Sequence, residues 1–157
     1  MENRFYGLMT AGSGLFLLTG ILLGLSSTIG LWYVEALGIW QVEVARSISA
    51  ILMMVAISSF MIGPTLGAAF SLYLGYDIED RAISVISASF TTFTGYFIMN
   101  LTAITILLNQ VEASSGMNSP YRILNAFIGL ENSVALFSFP TLLVSMFAAY
   151  LGSQLRE

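Results

Sequence analysis

Charged residues are confined to short clusters that separate long uncharged stretches of the chain. Three stretches of thirty residues carry no charge: Phe5–Val34, Ser47–Tyr76 and Ala82–Val111. A fourth, Ile123–Leu155, has thirty-three residues and a single charge, Glu131. Because a helix rises about 1.5 Å per residue, thirty residues reach about 45 Å, which is roughly a bilayer with its headgroups. The pattern predicts an all-α protein with four transmembrane spans.

Matching residues recur in order at offsets of 75 to 77, which indicates an internal repeat. Each unit holds two spans, so both units enter the membrane from the same side and the repeat is parallel. The sequence therefore predicts a four-span transmembrane helical bundle built from two tandem helical hairpins, 1–77 and 78–157, within a single membrane domain, 1–157. The matched segments are Glu2-x-Arg4 with Glu79-x-Arg81, Thr19-Gly20 with Thr94-Gly95, Val34-Glu35-Ala36 with Val111-Glu112-Ala113, Pro64-Thr65-Leu66 with Pro140-Thr141-Leu142, and Tyr73-Leu74-Gly75 with Tyr150-Leu151-Gly152.

The connections between the spans set the expected orientation. Both termini and the polar turn 77–81 fall on one face of the membrane. The first hairpin loop, 35–46, is predicted to be an amphipathic interfacial segment, with Trp32 and Trp40 as its anchors. Three arginines on the terminal face against two on the loop face favour termini in the cytoplasm.

Small residues at helical spacing predict close contacts between the spans. Span one carries Gly20-x-x-x-Gly24 and span two carries Gly63-x-x-x-Gly67, and both motifs permit helix backbones to approach closely. Pro64 and Pro140 lie at equivalent positions inside spans two and four, where each removes a backbone hydrogen bond and is expected to kink its helix. A shared structural bend is the favoured interpretation, and a gating hinge is the alternative.

Span three carries a stripe of small polar residues on one helix face, at steps of three or four. The stripe is either a seam that packs against neighbouring helices or the lining of a hydrophilic path. Packing is favoured, because hydroxyls can bond to carbonyls of their own helix without water. Thr91 and Thr94 are therefore predicted packing residues. The full stripe is Ser84, Ser87, Thr91, Thr94, Thr102, Thr105 and Asn109.

Glu131 is the residue that breaks the apolar pattern, and an ionisable side chain within a span is a functional candidate. No basic residue lies in any span, so this carboxyl must be protonated, hydrogen-bonded, hydrated or bound to a cation. Asn100, Thr102 and Thr105 are expected at a similar depth and complete a candidate ion pathway. Alternatively, span four begins at Ser133, which leaves Glu131 at the headgroups.

Composition narrows the classes of function. Hydrophobic residues make up 57% of the chain and charged residues 9%, against about a quarter in soluble domains. A net charge of −4 does not suggest nucleic acid as a partner. Without Cys or His, the chain is expected to hold no haem, iron–sulfur, copper or zinc group of its own, so no cofactor or metal is predicted. Five Arg with no Lys, and a low pI, are typical of a salt-adapted microbe, which suggests a prokaryotic cell membrane.

Two functions from different classes fit these observations. The favoured one is a structural or assembly subunit of a homo-oligomer or a larger membrane complex, with the lipid bilayer and other membrane subunits as partners. The alternative is an ion- or proton-conducting subunit that uses Glu131. That plan resembles the duplicated proteolipids of rotary ATPase membrane rings in architecture only, since their glycine-rich inner helices are absent here. An intramembrane enzyme is disfavoured because no nucleophile–base pair is present.

Overall fold

The chain folds into a bundle of long helices. A computed structural model describes the main chain of residues 2–36, 44–115 and 120–156, and the side chains of residues 6–30, 32–33, 36, 54–110 and 138–156. These residues form four helices, and the all-α prediction is confirmed for them. The helices are α1 (Glu2–Ala36), α2 (Val44–Asp77), α3 (Arg81–Ser115) and α4 (Pro120–Leu155).

Three of the helices are long and apolar enough to cross a membrane, judged by length and composition. The spans are Tyr6–Gly30, Met54–Asp77 and Arg81–Gln110. They are compatible with a membrane location for the chain. Helix α4 has 36 residues, but the side chains of its amino-terminal half lie outside the described residues. The fourth span therefore stays a prediction.

The turn between α2 and α3 is short because the end of α2 and the start of α3 are both hydrogen-bonded within a few residues of each other. The amide of Ile78 donates to the carbonyl of Leu74 over 3.0 Å and prolongs the last turn of α2. Asp80 then caps α3: its Oδ1 accepts from the amides of Ala82 at 2.9 Å and Ile83 at 3.1 Å. A carboxylate at this position satisfies two amides that have no partner within the helix and complements the helix dipole.

The end of α4 is fastened to the same turn. Arg156 donates from Nη1 to the carbonyl of Ile78 over 2.6 Å and from Nη2 to the carbonyl of Glu79 over 2.7 Å. Nearby, the guanidinium of Arg81 lies 5.3 Å from the centre of the Tyr150 ring, within the range of a cation–π contact. These contacts hold the carboxyl end of α4 beside the turn between α2 and α3.

Helices that are equivalent in the predicted sequence repeat lie side by side. Helix α1 packs along α3, and α2 packs along α4; α3 also contacts α4 and α2. Both extensive pairs are parallel, because their contacts run in ascending order along both chains. Phe16 and Gly20 of α1 meet Gly95 and Met99 of α3, and Gly67 and Gly75 of α2 meet Ser145 and Ala149 of α4. Helix α3 is the most enclosed of the three candidate span helices: 56% of its most apolar segment is buried, against 22% for α1.

Two apolar clusters occupy the described interior. Phe16, Tyr96 and Met99 form one cluster between α1 and α3, and Leu23 and Leu66 pack against it. The other lies nearer the α2–α3 turn and joins residues of all four helices. Its buried members are Leu74, Ala88 and Ala149, with Leu8, Phe70, Ile78 and Val85 packed around them. The start of α1, the turn and the end of α4 therefore share one end of the bundle.

Candidate functional site

The described interior is unusually rich in small polar side chains. Small hydroxyls and an amide are buried on α2, α3 and α4, whereas the large exposed side chains of these helices are mainly aliphatic and aromatic. This distribution is expected where lipid is the solvent and polar groups must find partners inside the protein. The buried polar residues are Ser59, Ser71, Ser84, Ser87, Thr91, Thr92, Asn100, Ser138, Thr141, Ser145 and Ser153.

Three of the interior groups form a hydrogen-bonded cluster, which we call the polar cluster: Ser59, Tyr96 and Asn100. The hydroxyl of Ser59 on α2 donates to Oδ1 of Asn100 on α3 over 2.6 Å. The Nδ2 of Asn100 donates to the Tyr96 carbonyl over 2.8 Å. The Tyr96 side chain is hydrogen-bonded with both Ser59 and Asn100. The cluster therefore joins α2 to α3 near the middle of both helices.

The helices close tightly around the polar cluster. The ring of Tyr96 lies directly against Gly63, where a methyl group would overlap the ring edge. One turn further along α2, a methyl group on Gly67 would lie 2.8 Å from the Ser145 hydroxyl oxygen and 3.3 Å from Cγ2 of Thr141. Side chains from α3 and α4 therefore fill the space beside Gly63 and Gly67, and the interior is close-packed at these two points.

Several of the buried hydroxyls donate to carbonyls of their own helix. Thr92 donates to Ala88 over 2.7 Å and Ser145 donates to Thr141 over 2.7 Å. Such bonds satisfy a hydroxyl without water or a neighbouring helix. Within the described part of the chain, the buried hydroxyl oxygens of Ser71 and Thr91 have no hydrogen-bond partner.

The predicted packing residues are distributed over two interfaces. Gly20 lies against the main chain of Met99, and Gly24 lies against the side chain of Ile106, so both face α3. Thr91 is buried, whereas Thr94 is half-buried.

A closer glycine contact, which sequence reasoning did not single out, joins the ends of α2 and α4. A methyl group on Gly75 would overlap the Ala149 carbonyl, and one on Gly152 would overlap the Leu72 carbonyl. The sequence offered a signal for this contact, because Gly75 and Gly152 are equivalent residues of the predicted repeat.

The candidate ion-pathway residues do not share one environment. Asn100 is buried in the polar cluster, Thr102 is half-buried, and Thr105 is exposed. Glu131 belongs to α4, but its side chain lies outside the described residues. The structure therefore brings Asn100 together with Ser59 and Tyr96, two residues that the sequence analysis did not name.

The structure shows where three of the four predicted kink and interfacial-anchor residues lie. Pro64 and Pro140 lie inside the continuous helices α2 and α4, and the kinks themselves stay predictions. Trp32 is exposed near the end of α1, as expected of an interfacial side chain, whereas Trp40 lies outside the described residues. In the described ranges, no three carboxylates gather in a way that would hold a metal ion.

Comparison with known protein families, with curated proteins and with solved structures finds no match to this chain.

Proposed function

We propose that the chain is a four-span membrane protein, made of two tandem hairpins, that serves as a structural or assembly subunit of a homo-oligomer or larger membrane complex. The single observation that carries the structural role is the closed interior. The Ser59 hydroxyl bonds to Asn100, and several buried hydroxyls donate to carbonyls of their own helix. Neighbouring side chains fill the space beside Gly63 and Gly67. The surface available to partners is then the apolar exterior.

Aromatic side chains support the placement of the bundle across a bilayer. Tyr6 is exposed near one end of α1, and Trp32 and Tyr33 are exposed near the other end. The twenty-six residue steps from Tyr6 to Trp32 correspond to about 39 Å of helix. Aromatic residues favour the two membrane–water interfaces, and this separation is close to the thickness of a bilayer with its headgroups.

The reciprocal glycine contact supports the duplicated hairpin. Gly75 faces the carbonyl three residues before Gly152, and Gly152 faces the carbonyl three residues before Gly75. Two parallel helices that exchange the same contact are related by a local twofold axis along their length. The relation is local, because α2 contacts α3 whereas the described parts of α1 and α4 do not touch.

Glycines on the outer face of α1 support the proposal that this face contacts another chain. A methyl group on Gly7, Gly14 or Gly30 would meet nothing within 4 Å, whereas the other glycines with described surroundings all face a neighbour. A glycine inside a helix is less favourable than alanine by about 0.5–1 kcal/mol. Gly7 and Gly14 fall on one face of α1, so we expect this face to meet a second copy of the chain.

The experiment is isolation in mild detergent or native nanodiscs, followed by mass measurement of the intact particle. We expect a homo-oligomer or a stoichiometric complex, and Gly14→Leu should reduce its yield at least severalfold. The matched control is Gly30→Leu, which adds the same side chain to the opposite side of the same helix. A particle that is monomeric at every protein concentration would contradict the assembly role.

The alternative function is tested with the same purified protein after reconstitution into liposomes. In liposomes, we expect no proton or sodium flux above that of empty vesicles, and no difference between the unaltered chain and Glu131→Gln. Flux that Glu131→Gln abolishes would replace the structural role with conduction through a carboxylate that has no basic partner within its span.

A further inference from the structure

Ser71 on α2 carries a buried hydroxyl that lacks a hydrogen-bond partner. Its side chain is 0% exposed, and its Oγ is unpaired within the described part of the chain. The buried hydroxyls of Thr92 and Ser145 each donate to a carbonyl of their own helix over 2.7 Å, but Ser71 does not make this bond. An unpaired hydroxyl is costly inside a membrane protein, because the surrounding lipid offers no hydrogen bonds.

Ser71 faces helix α4. It lies four residues after Gly67 and four residues before Gly75, so the three residues share one face of α2. A methyl group on Gly67 would lie 2.8 Å from Oγ of Ser145, and one on Gly75 would overlap the carbonyl of Ala149. Ser71 therefore lies between these two contacts, at the interface of α2 with α4.

Helix α3 reaches the same place. A methyl group on Gly67 would lie 3.6 Å from Cγ2 of Thr92, so α2, α3 and α4 meet beside this glycine. Thr92 and Ser145 are fully buried, and each uses its single hydroxyl proton on its own helix. Both hydroxyl oxygens keep lone pairs that can accept a further hydrogen bond. The junction thus offers one donor, Ser71, and two acceptors.

The spacing at this junction fits a bridging molecule. Residues four apart on a helix have Cβ atoms about 5–6 Å apart, so Cβ of Ser71 lies about that far from the methyl position on Gly67 that contacts Ser145. Two hydrogen bonds in series through one water oxygen span about 5.5 Å. A buried water typically makes about three hydrogen bonds, which is the number of partners that the junction provides.

We propose that one water molecule binds at the Ser71–Thr92–Ser145 junction and is a structural ligand that joins α2, α3 and α4. The hydroxyl of Ser71 donates to the water oxygen, and the water donates one proton to Oγ1 of Thr92 and the other to Oγ of Ser145. Every proton of the water and of the Ser71 hydroxyl then has an acceptor. Water enters from the turn end of the bundle, because Ser71 lies six residues, or about 9 Å of helix, from Asp77.

The sign of one stability change tests this water. Ser71→Ala should raise the equilibrium constant of unfolding in mixed micelles by about threefold to twentyfold, because the three helices lose a hydrogen-bonded bridge. The matched control is Ser153→Ala, which removes an equally buried hydroxyl that donates to the Tyr150 carbonyl over 2.7 Å. Since that bond lies within one helix, the control should change the constant by less than about twofold.

Two outcomes of this comparison would overturn the proposal. Greater stability of Ser71→Ala would mean that the hydroxyl is truly unpaired, since removal of an unpaired buried polar group is favourable. A change no larger than that of Ser153→Ala would mean that Ser71 bonds only within its own helix.

Magnetisation transfer from water to serine signals, recorded by solid-state NMR in lipid bilayers, provides a direct readout. We expect transfer to Ser71 and none to Ser59, which is also buried but bonds directly to Asn100. Ser145→Ala should reduce the transfer to Ser71 severalfold, because it removes one acceptor of the water and leaves the Ser71 side chain in place. Transfer that is absent from Ser71, or that is unchanged by Ser145→Ala, would contradict the bound water.

Discussion

At the scale of single residues, glycine has two distinct roles in this bundle. Gly75 and Gly152 allow the main chains of α2 and α4 to touch, because any side chain there would meet a carbonyl group of the other helix. Gly30 has open space around it, so no contact in the described part of the chain requires a glycine at that position. The same residue type is therefore structural in one place and replaceable, as far as the fold is concerned, in another.

This difference predicts opposite effects of the same substitution. Gly75→Ala should destabilise the protein by about 1–3 kcal/mol, because the added methyl group forces α2 and α4 apart. Gly30→Ala, the matched control, should be neutral or stabilising by up to about 1 kcal/mol, because alanine favours the helix. Reversible unfolding in mixed micelles, followed by tryptophan fluorescence, measures both. Equal stability of the two variants would show that the α2–α4 contact is looser than the structure indicates.

The polar cluster shows what the sequence could predict about single residues. Asn100 was named in the sequence analysis as part of a candidate ion pathway at the depth of Glu131, and the structure shows it buried and bonded to Ser59. Ser59 and Tyr96 were not named, since serine and tyrosine are common in membrane helices and their partners depend on which helices meet. The pathway role of Asn100, Thr102, Thr105 and Glu131 stays a prediction.

At the scale of the elements, the uncharged stretches predicted the helices well and their ends less well. Helix α2 begins at Val44 and ends at Asp77, slightly beyond the uncharged stretch 47–76 at both ends. A helix does not end where its apolar surface ends, because its last turns can lie among the headgroups. The end of a helix depends instead on capping groups such as Asp80.

The cap of α3 gives a prediction at this scale. Asp80→Ala should lower stability by about 0.5–2 kcal/mol, because two amides at the start of α3 lose their acceptor. Asp80→Asn retains the side-chain oxygen and should cost much less, which makes it the matched control. Unfolding curves in mixed micelles provide the comparison. A loss of the same size in both variants would mean that the charge of Asp80, rather than its hydrogen bonds, stabilises this helix.

At the scale of the whole molecule, the sequence predicted a helical bundle but not the order of its helices. Periodicity shows which face of a helix is polar, and it does not show which neighbour covers that face. Hence the parallel contacts of α1 with α3 and of α2 with α4 were not predicted. The predicted repeat is consistent with this order, since the helices that it makes equivalent carry similar small residues and can pack against each other at similar levels.

The number of spans is the property of the whole molecule on which the proposed architecture depends, and it can be tested by sidedness. Four spans place both ends of the chain and the α2–α3 turn on one side of the membrane, whereas three spans place the carboxyl end on the other side. The bond of Arg156 to the carbonyls of Ile78 and Glu79 favours the first arrangement.

Because the chain has no cysteine, single cysteines report accessibility without background. With an impermeant thiol reagent on oriented vesicles, we expect Glu79→Cys and Glu157→Cys to react from one side. Glu43→Cys and Asn118→Cys should react from the other. A carboxyl-terminal cysteine that reacts together with Glu43→Cys would leave only three crossings and would exclude the duplicated hairpin.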